Sequence, residues 1–477
     1  MSAKNILLFG AGKSATVLIE YLINESVYSN WYITVADANL ELIELKTQRR
    51  LNSNAVALDI NDTPNRQALV KSSDIVISMM PPSLHILIAE DCIEFGKSLL
   101  TASYADEKIL ALESKVKEKG LLFLCEMGLD PGIDHMSAME LIDEIKHDGG
   151  DIISFKSHCG GLVAPECDDN PWHYKISWNP RNVVLAGKAG AIYKEDGKII
   201  EEPYESLFKG ERTVALENEN NATFSYYPNR NSLNYIDLYK LPHVQTFVRT
   251  TLRYPEFMTG WNNIVELQLT DETPCFDSDG KSLNEFFTSH FDKIGFNQWL
   301  DKKLSERFSE TNHLFEKLEQ LLKNEKYADN ESATLLANKM EGVNLLLKQL
   351  FFLGIDDTET KINKGYCSPA DVLQLALEKK LVLKETDKDM IVMLHEIEYM
   401  NAGIKHSISS SLLVKGKDHL HTAMAQTVGL PLGIAAKFIL DGTIKETGVQ
   451  IPTKKEIYTP VLRELKNFGV AFKEKRK

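Results

Sequence analysis

Residues 5–25 read NILLFGAGKSATVLIEYLINE and decide the fold of this 477-residue chain. A short apolar run ends at Gly10, and an amphipathic helical pattern follows Gly12. The turn, Gly10-Ala11-Gly12-Lys13-Ser14-Ala15, fits G-x-G-x-x-G/A, whose small residues let the backbone turn tightly and approach a pyrophosphate. The N–H groups that open the helix then face the phosphates. The stretch predicts a strand–turn–helix unit that binds a dinucleotide, with a purely structural glycine turn as the alternative.

The first 125 residues alternate between short apolar runs and helical patterns. The runs are NILLF, YITVA, NAVALD, DIVISM, SLLTA and LLFLC, and the helical patterns lie near 14–25, 39–50, 63–71, 84–95 and 107–119. Buried strands separated by helices predict an α/β domain of the Rossmann type, with a doubly wound parallel sheet. The carboxyl ends of such strands share one edge, where ligands bind.

The composition limits the partners of the chain. Its 54 basic and 68 acidic residues give a net charge of −14, which argues against nucleic-acid binding. The six cysteines show no CxxC pair or zinc-finger spacing, so we expect reduced thiols, no metal site and a cytoplasmic location. The N-terminal apolar run is too short for a signal peptide, and no run of about 18 apolar residues predicts a membrane-spanning helix.

The pattern changes after Asp134. DIISFKSHCG, VVLAG, FSYYP, QTFVRTTLRY and NIVELQLTD have strand character without helices between them, and hairpin turns are predicted at Asp196–Gly197 and at Asn401–Ala402–Gly403. We therefore expect a dinucleotide-binding domain at 1–129, an α+β mixed-sheet substrate domain at 130–280 and 386–418, and a helical insertion at 281–385 with an internal loop near 326–333. The long second sheet and the apolar C-terminal region allow a homodimer.

Polar residues at the strand ends suggest how the cofactor is held. Asp37 ends the second strand, where a carboxylate accepts hydrogen bonds from ribose hydroxyls and repels a 2′-phosphate, which favours NAD over NADP. Arg49 and Arg50, one helix later, are the residues that would favour NADP. Asp59 ends the third run and either faces the adenine or caps a helix or turn. Ser78, in SMMPP, and TASYAD (101–106) end strands four and five, where a nicotinamide would lie.

Several later stretches carry a family resemblance. EMGLDPGIDHMSAM (126–139), SHCGGLVAPECDDNPWHYKISW (157–178), YYPNRNSL (226–233), TTLRYPEF (250–257) and AMAQTVGLPLGIAAKFILDGTI (423–444) resemble saccharopine dehydrogenase of the L-glutamate-forming type. The resemblance implies a substrate domain built on a sheet, a helical domain, and closing helices at about 420–445 that return to the first domain. It implies NAD(P)-dependent oxidation of the secondary amine of saccharopine, with imine hydrolysis to L-glutamate and 2-aminoadipate 6-semialdehyde.

The resemblance and the strand-end pattern together give a set of candidate site residues. The candidate cofactor contacts are Gly10, Gly12, Lys13, Ser14, Asp37, Asp59, Ile60, Ser78, Met79, Ala102, Ser103, Gly128, Leu129 and Asp130. The implied substrate contacts are Ser103, Tyr104, Arg230, Thr251, Leu252 and Arg253, since arginines grip carboxylates in bidentate fashion. Arg249 would face the same side of its strand as Arg253. The alternative for any one arginine is a surface salt bridge.

The catalytic candidates that the resemblance implies are Asp130, Tyr104 and Cys159. The hydride step needs a neutral amine, and the base that takes its proton is sought among Asp130, Tyr104, His135 and His158, in that order, or in solvent. Each has a structural alternative: an aromatic cap for Tyr104, a buried inert thiol for Cys159, and structural hydrogen bonding for the histidines. Asp134 suits an N-cap of the following helix.

The chain also departs from the family pattern. Fungal members carry an arginine after their second strand, which suits NADP, whereas this chain has Asp37 there and a less bulky glycine turn. The residues of this chain therefore favour NAD as the cofactor, and the family also allows NADP. Two functional alternatives stay open: a related imine reductase, such as one acting on carboxynorspermidine, and a catalytically silent nucleotide-binding regulator.

Overall fold

The first layer of the molecule is a seven-stranded sheet in which every neighbouring pair is parallel. The computed structural model describes residues 3–210, 212–216, 222–303, 305 and 344–477. The strands are β1 (Lys4–Phe9), β2 (Trp31–Asp37), β3 (Ser53–Ala57), β4 (Ile75–Ser78), β5 (Ser98–Thr101), β6 (Leu122–Leu124) and β18 (Gly448–Gln450), in the spatial order β18-β6-β5-β4-β1-β2-β3. The predicted Rossmann-type sheet is confirmed.

Helices cover both faces of this sheet. They are α1 (Thr16–Ser29), α2 (Leu40–Thr47), α3 (Thr63–Ser72), α4 (His85–Phe95), α5 (Glu107–Leu110) and α6 (Glu113–Glu118). Ile6 and Leu8 of β1 enter one apolar core, whereas Leu7 and Phe9 enter another on the opposite face. Alternate residues of one strand are thus buried on both sides, which is why its sequence is a continuous apolar run.

The second layer is a mixed ten-stranded sheet. Its strands are β7 (Asp151–Val163), β8 (Ala191–Glu195), β9 (Lys198–Glu202), β10 (Thr213–Leu216), β11 (Ala222–Pro228), β12 (Arg230–Asn231), β13 (Thr246–Arg253), β16 (Asp389–Asn401), β17 (Ile404–Lys415) and β19 (Lys473–Arg476). The main path runs β10-β11-β13-β7-β16-β17-β19, with β13 and β7 parallel. Both hairpins turn where predicted, with left-handed backbone at Asp196–Gly197 and at Ala402–Gly403.

Helices interrupt this sheet, and two strand predictions were wrong. VVLAG overlaps α8 (Pro180–Val184), which Asn179 caps through its side chain, and NIVELQLTD overlaps α11 (Pro255–Glu266). In α11 the residues Phe257, Trp261 and Ile264 all point into a second apolar core, a helical period that β-branched neighbours obscured. Helix α7 (Ile133–His147) precedes the first strand of this sheet along the chain. The short helices α9 (Tyr204–Leu207) and α10 (Asn234–Leu238) lie between its strands in the sequence.

The region after α11 is mainly helical where it is described. It contains α12 (Leu283–Ile294), a helical segment at Asn344–Leu353, α13 (Pro369–Lys380) and the small strand pair β14 (Phe276–Asp277) with β15 (Tyr366–Cys367). Apolar residues of these helices share one core with α11. The internal loop expected near 326–333 lies outside the described residues.

The C-terminal segment joins both sheets. Helix α14 (Ala423–Leu440) packs on α1, and Gly433 makes this possible because a Cβ there would lie 2.5 Å from the ring of Tyr21. β18 then pairs with β6, α15 (Lys455–Lys466) packs on α7, and β19 pairs with β17. By length and composition α14 passes the test for a membrane-crossing helix, contrary to expectation, yet 67% of it is buried in the protein, as in a core helix.

Candidate active site

The glycine turn has the geometry that a dinucleotide requires. Gly10 has φ +97°, and a Cβ there would lie 3.0 Å from the backbone of Met79, so the turn after β1 packs directly on the end of β4. Among the described residues, apart from its chain neighbours, no heavy atom would lie within 4 Å of a Cβ at Gly12, so the space above that glycine is open. Lys13, Ser14 and Ala15 form a single 3-10 turn that leads into α1. The structure therefore leaves room for phosphates at the helix start.

Asp37 lies beside this turn at the end of β2. Its Oδ2 accepts a hydrogen bond from Ala11 N at 2.7 Å, and its Oδ1 accepts one from Asn39 N at 3.0 Å. Lys46 of α2 donates to Gly12 O at 2.6 Å, and its burial lowers its pKa to about 8 against the opposing attraction of Asp37. A carboxylate and an ammonium thus hold the same turn.

Asp59 and Ile60 follow the third strand and make contacts within the protein. β3 ends at Ala57, and Asp59 follows it in a turn, where its Oδ1 accepts a hydrogen bond from Asn61 N at 2.9 Å. This hydrogen bond is the one expected if Asp59 caps a turn. The Ile60 side chain packs in the apolar core, and its carbonyl accepts a hydrogen bond from Arg66.

The loops after β5 and β6 cross at a glycine. A Cβ at Gly128 would lie 3.0 Å from that of Ala102, so only glycine lets these loops pass so closely. Glu126 N donates to Ser103 O at 3.0 Å, and Glu126 Oε1 accepts from Ala105 N at 3.2 Å. Glu126 therefore fixes the backbone on both sides of Tyr104, and Leu129 anchors the second loop in the core.

A buried cluster of charge lies where the two sheets meet. Arg249 of β13 pairs with Asp130 at 2.5 Å and with Asp134 at 2.7 Å, and its side chain is 3% exposed. The guanidinium lies 4.4 Å from the ring centre of Tyr235 and 5.9 Å from that of Tyr104. The Tyr104 hydroxyl lies 3.4 Å from Asp130 Oδ1.

The two carboxylates of this cluster differ in basicity. Burial raises the pKa of Asp130 to about 6, which outweighs the attraction of Arg249. Asp134 is also buried, but His135, Arg249 and the Gly132 N–H together lower its pKa. Asp134 is not the N-cap that we expected, because α7 starts at Ile133 and Asp134 lies in its first turn. Asp130 is thus the carboxylate suited to accept a proton.

The two candidate histidines are occupied by other partners. His135 is within 2.8 Å of Glu126 through Nε2 and 2.6 Å of the Tyr239 hydroxyl through Nδ1. His158 lies 2.7 Å from Thr250 through Nδ1 and 3.1 Å from Glu396 through Nε2. Both ring nitrogens of each histidine are thus engaged by side chains of the protein, which favours structural hydrogen bonding over the role of base.

Two arginines differ from Arg249 in having no carboxylate partner within the described part of the chain. Arg230 is exposed, and its guanidinium lies 5.0 Å from the ring centre of Tyr104. Arg253 is 3% exposed, lies over the rings of Tyr174 and Phe257, and has a buried Nε without a hydrogen-bond partner among those residues. A buried cation left in this state is suited to an anionic ligand.

Comparison with known proteins identifies the family. Residues 6–124 match the family model described as saccharopine dehydrogenase NADP binding domain, and residues 128–470 match that described as saccharopine dehydrogenase C-terminal domain. The chain belongs to the saccharopine dehydrogenase family. The resemblance seen in the sequence is thus confirmed, and the N-terminal domain is of a nicotinamide-dinucleotide-binding type.

Individual relatives match along the whole chain. The NADP(+), L-glutamate-forming saccharopine dehydrogenase of Saccharomyces cerevisiae is 32% identical over 99% of each chain, and that of Schizosaccharomyces pombe is 30% identical over 98% of each. The alpha-aminoadipic semialdehyde synthase of Bos taurus is 32% identical over 98% of this chain and 47% of its own length. The apo structure of the Saccharomyces cerevisiae enzyme (L-Glu forming) superposes with a TM-score of 0.79 at 29% identity, over 100% of both chains.

Three further candidate residues, Cys159, Thr251 and Leu252, lie on strands of the mixed sheet. Thr251 pairs in register with Cys159 of β7, while the Leu252 side chain packs in a core and its carbonyl accepts a hydrogen bond from Arg253 Nη1 at 2.8 Å. Burial raises the pKa of the Cys159 thiol well above its usual value, and Asp130 and Asp134 reinforce that rise. Cys159 is therefore a protonated thiol near the charge cluster, not a thiolate.

Sequence reasoning missed several residues around this family's site. It named neither Glu126, which fixes the Tyr104 loop, nor Lys46, nor His85, which lies between Ser78 and Ser103. Glu126 and His85 each stand within a few residues of a strand end at the ligand edge, and that position was an available signal. Lys46 carried none, since it is one of several lysines in a helix.

Arg249→Met tests the buried charge cluster. Removing the cation leaves Asp130 and Asp134 buried without a counter-charge, so the free energy of unfolding should fall by about 3–5 kcal/mol. The matched control is Arg181→Met, which removes an arginine that also pairs with two carboxylates but is 29% exposed. The control should cost less than about 1 kcal/mol. Urea unfolding at pH 7 measures both, and equal small losses would contradict the cluster's role.

Proposed function

We propose that this chain is an L-glutamate-forming saccharopine dehydrogenase. It oxidises the carbon next to the secondary amine of saccharopine, and water then cleaves the imine to L-glutamate and 2-aminoadipate 6-semialdehyde, in a reversible reaction. The observation that supports this most directly is the presence of two arginines, Arg230 and Arg253, with no carboxylate partner among the described residues, in the region of Tyr104 and Asp130.

The carboxylates of saccharopine match the two arginines that have no carboxylate partner among the described residues. Saccharopine has a carboxylate at each amino-acid end and another on its glutamate side chain. Arg230, near the Tyr104 ring, and the buried Arg253 are available for two of them, whereas Arg249 is already neutralised by Asp130 and Asp134. The hydroxyl of Ser103 and the backbone of Thr251 and Leu252 complete the proposed substrate site.

Asp130 acts as the proposed base. The amine of saccharopine is protonated at neutral pH and must lose its proton before hydride can leave the adjacent carbon. A carboxylate with a pKa of about 6 is ionised at pH 7 and is more basic than an ordinary aspartate. Tyr104 lies against Asp130 and Arg230, so in this proposal it holds Asp130 toward the amine while Arg230 binds a carboxylate. Cys159 supplies a neutral S–H group beside them.

The cofactor site fits a nicotinamide dinucleotide. The open space above Gly12, the helix start at Lys13 and Ser14, and the backbone contact of Gly10 with Met79 suit a pyrophosphate. Ser78, Ala102, Ser103, Gly128, Leu129 and Asp130 would surround the nicotinamide half, which when bound supplies the hydride acceptor. Clamping the carboxylates of the substrate would place its reacting carbon against that half of the site.

We further propose that NAD is the preferred cofactor, although the family model is described as NADP binding and the fungal relatives are named for NADP(+). Asp37 stands beside the glycine turn, where the ribose hydroxyls of an adenosine would lie, and a 2′-phosphate there would meet its negative charge. Arg49 pairs with Glu44 and Arg50 bonds to Asn24, so both point to other partners.

The organisation of the whole chain belongs to the same proposal. Residues 1–129 with 420–445 bind the cofactor, residues 130–280 with 386–418 bind the substrate, and residues 281–385 form the helical insertion. A cytoplasmic location is supported by six cysteines that are all free thiols. We also propose a homodimer, which light scattering would detect as twice the mass of 53.8 kDa.

Turnover of saccharopine tests the proposed function. The purified chain should reduce NAD+ or NADP+ when saccharopine is added, and Arg230→Ala should raise the KM for saccharopine about 10- to 100-fold with a smaller effect on kcat. The matched control, Arg212→Ala, removes an arginine that pairs with Glu202 away from Tyr104 and should leave both constants unchanged. Turnover of carboxynorspermidine but not saccharopine, or cofactor binding without any turnover, would overturn the proposal.

Asp37→Ala tests the cofactor preference. The wild-type enzyme should have the higher kcat/KM with NAD+, and removal of the carboxylate should lower that value about tenfold while improving NADP+. Asp74→Ala is the matched control, because Asp74 also accepts a hydrogen bond from a backbone N–H, that of Asn5 at 2.7 Å, but lies before β4 at the opposite edge of the sheet. A wild-type preference for NADP+, or equal effects of the two variants, would contradict the role of Asp37.

A further inference from the structure

One buried histidine connects the two serines at the nicotinamide end of the site. His85 is the first residue of α4 and is 3% exposed. Its Nδ1 lies 2.8 Å from Ser78 Oγ, at the end of β4, and its Nε2 lies 2.8 Å from Ser103 Oγ. Nothing in the proposed mechanism has so far used this side chain.

Thr101 ties the same histidine to the backbone of Ser103. Thr101 Oγ1 lies 3.1 Å from His85 Nε2 and accepts a hydrogen bond from Ser103 N at 3.1 Å. Ser78 and Thr101 are register partners of the adjacent strands β4 and β5, so His85 spans both strand ends. The imidazole of His85 therefore contacts the Ser103 hydroxyl directly and is linked to the Ser103 backbone N–H through Thr101 Oγ1.

The charge state of His85 makes these contacts directional. Burial lowers its pKa to about 4, against a weaker opposing attraction from Asp106, so the ring is neutral at pH 7. A neutral imidazole has one N–H donor and one acceptor nitrogen. When Nδ1 carries the proton it donates to Ser78, and Nε2 accepts from Ser103, whose oxygen is then left to accept. In the other tautomer Ser103 accepts from Nε2 and its own O–H is left to donate.

We propose that His85 is a positioning residue that acts through Ser103, setting which way the Ser103 hydroxyl points at the reacting amine. The inference rests on the proposed function, which places Ser103 against substrate and nicotinamide. A misoriented hydroxyl would leave the amine without a fixed partner, so the chemical step should slow while cofactor binding is little changed. His85 itself touches neither ligand.

A double-mutant cycle tests this role. His85→Asn keeps a polar atom near Ser78 but not near Ser103, and its kcat with saccharopine should fall about 10- to 100-fold. In a Ser103→Ala background the same change should alter kcat by less than about twofold, because the group through which His85 acts is already gone. His85→Gln, whose amide reaches the position of Nε2, should recover part of the lost rate. The Kd of NAD+, from fluorescence titration, should stay within about threefold of wild type.

The control is His290→Asn. His290 is a buried histidine whose Nε2 lies 2.9 Å from Leu267 O in the helical region, so its loss should leave kcat unchanged. Additive losses from His85→Asn and Ser103→Ala, or a weaker Kd with an unchanged kcat, would overturn the inference while leaving the proposed function intact. If His85→Asn does not fold, the cycle of His85→Gln with Ser103→Ala decides in the same way. Absence of saccharopine turnover in the wild-type enzyme would overturn both.

Discussion

The guanidinium of Arg249 is buried between the carboxylates of Asp130 and Asp134 and lies against the ring of Tyr235. Two buried carboxylates cannot both stay ionised without a counter-charge, since transfer of an isolated charge from water costs far more than a folded domain can supply. Asp130 lies in the loop after the parallel sheet, and Arg249 lies on a strand of the mixed sheet. The ion pair therefore holds the two halves of the site in one position.

The ion pairs of Arg249 distinguish it from Arg230 and Arg253. Arg249 is paired with the protein's own carboxylates, whereas Arg230 and Arg253 have no carboxylate partner among the described residues. The two aspartates differ: burial raises the pKa of Asp130 despite Arg249, whereas His135, Arg249 and the Gly132 N–H lower the pKa of Asp134 although it too is buried. A proposed base of raised pKa thus stands beside arginines whose charges remain available, which is the arrangement that oxidation of a tricarboxylic secondary amine needs.

Much of the fold was predictable because its signals are local. The glycine turn, the strand ends at Asp37 and Ser78, and the hairpins at Asp196–Gly197 and Ala402–Gly403 each depend on a few adjacent residues. The end of α11 was mistaken for a strand because the adjacent Ile264 and Val265 favour strands, and only the second core makes the helical period evident.

The contacts of the site were less predictable, because they join distant segments. Arg249 was placed on the correct strand, but its partner Asp130 is 119 residues earlier, and nothing in the spacing indicates that they pair. His85 lies 18 residues before Ser103, and Glu126 bonds to Tyr235, which is 109 residues later. Sequence reasoning identified groups that face the ligand edge but not the side chains behind them that fix their positions.

The measurement that tests this account most directly is the pH dependence of kcat/KM for saccharopine oxidation in the wild-type enzyme and in Asp130→Asn. If Asp130 takes the proton of the amine, the wild-type value should fall with decreasing pH through an apparent pKa near 6, because protonation removes the base. Asp130→Asn should retain less than about 1% of the wild-type rate and should lack that acid limb. An acid limb that persists unchanged in Asp130→Asn, or a variant that keeps the wild-type rate, would contradict the account.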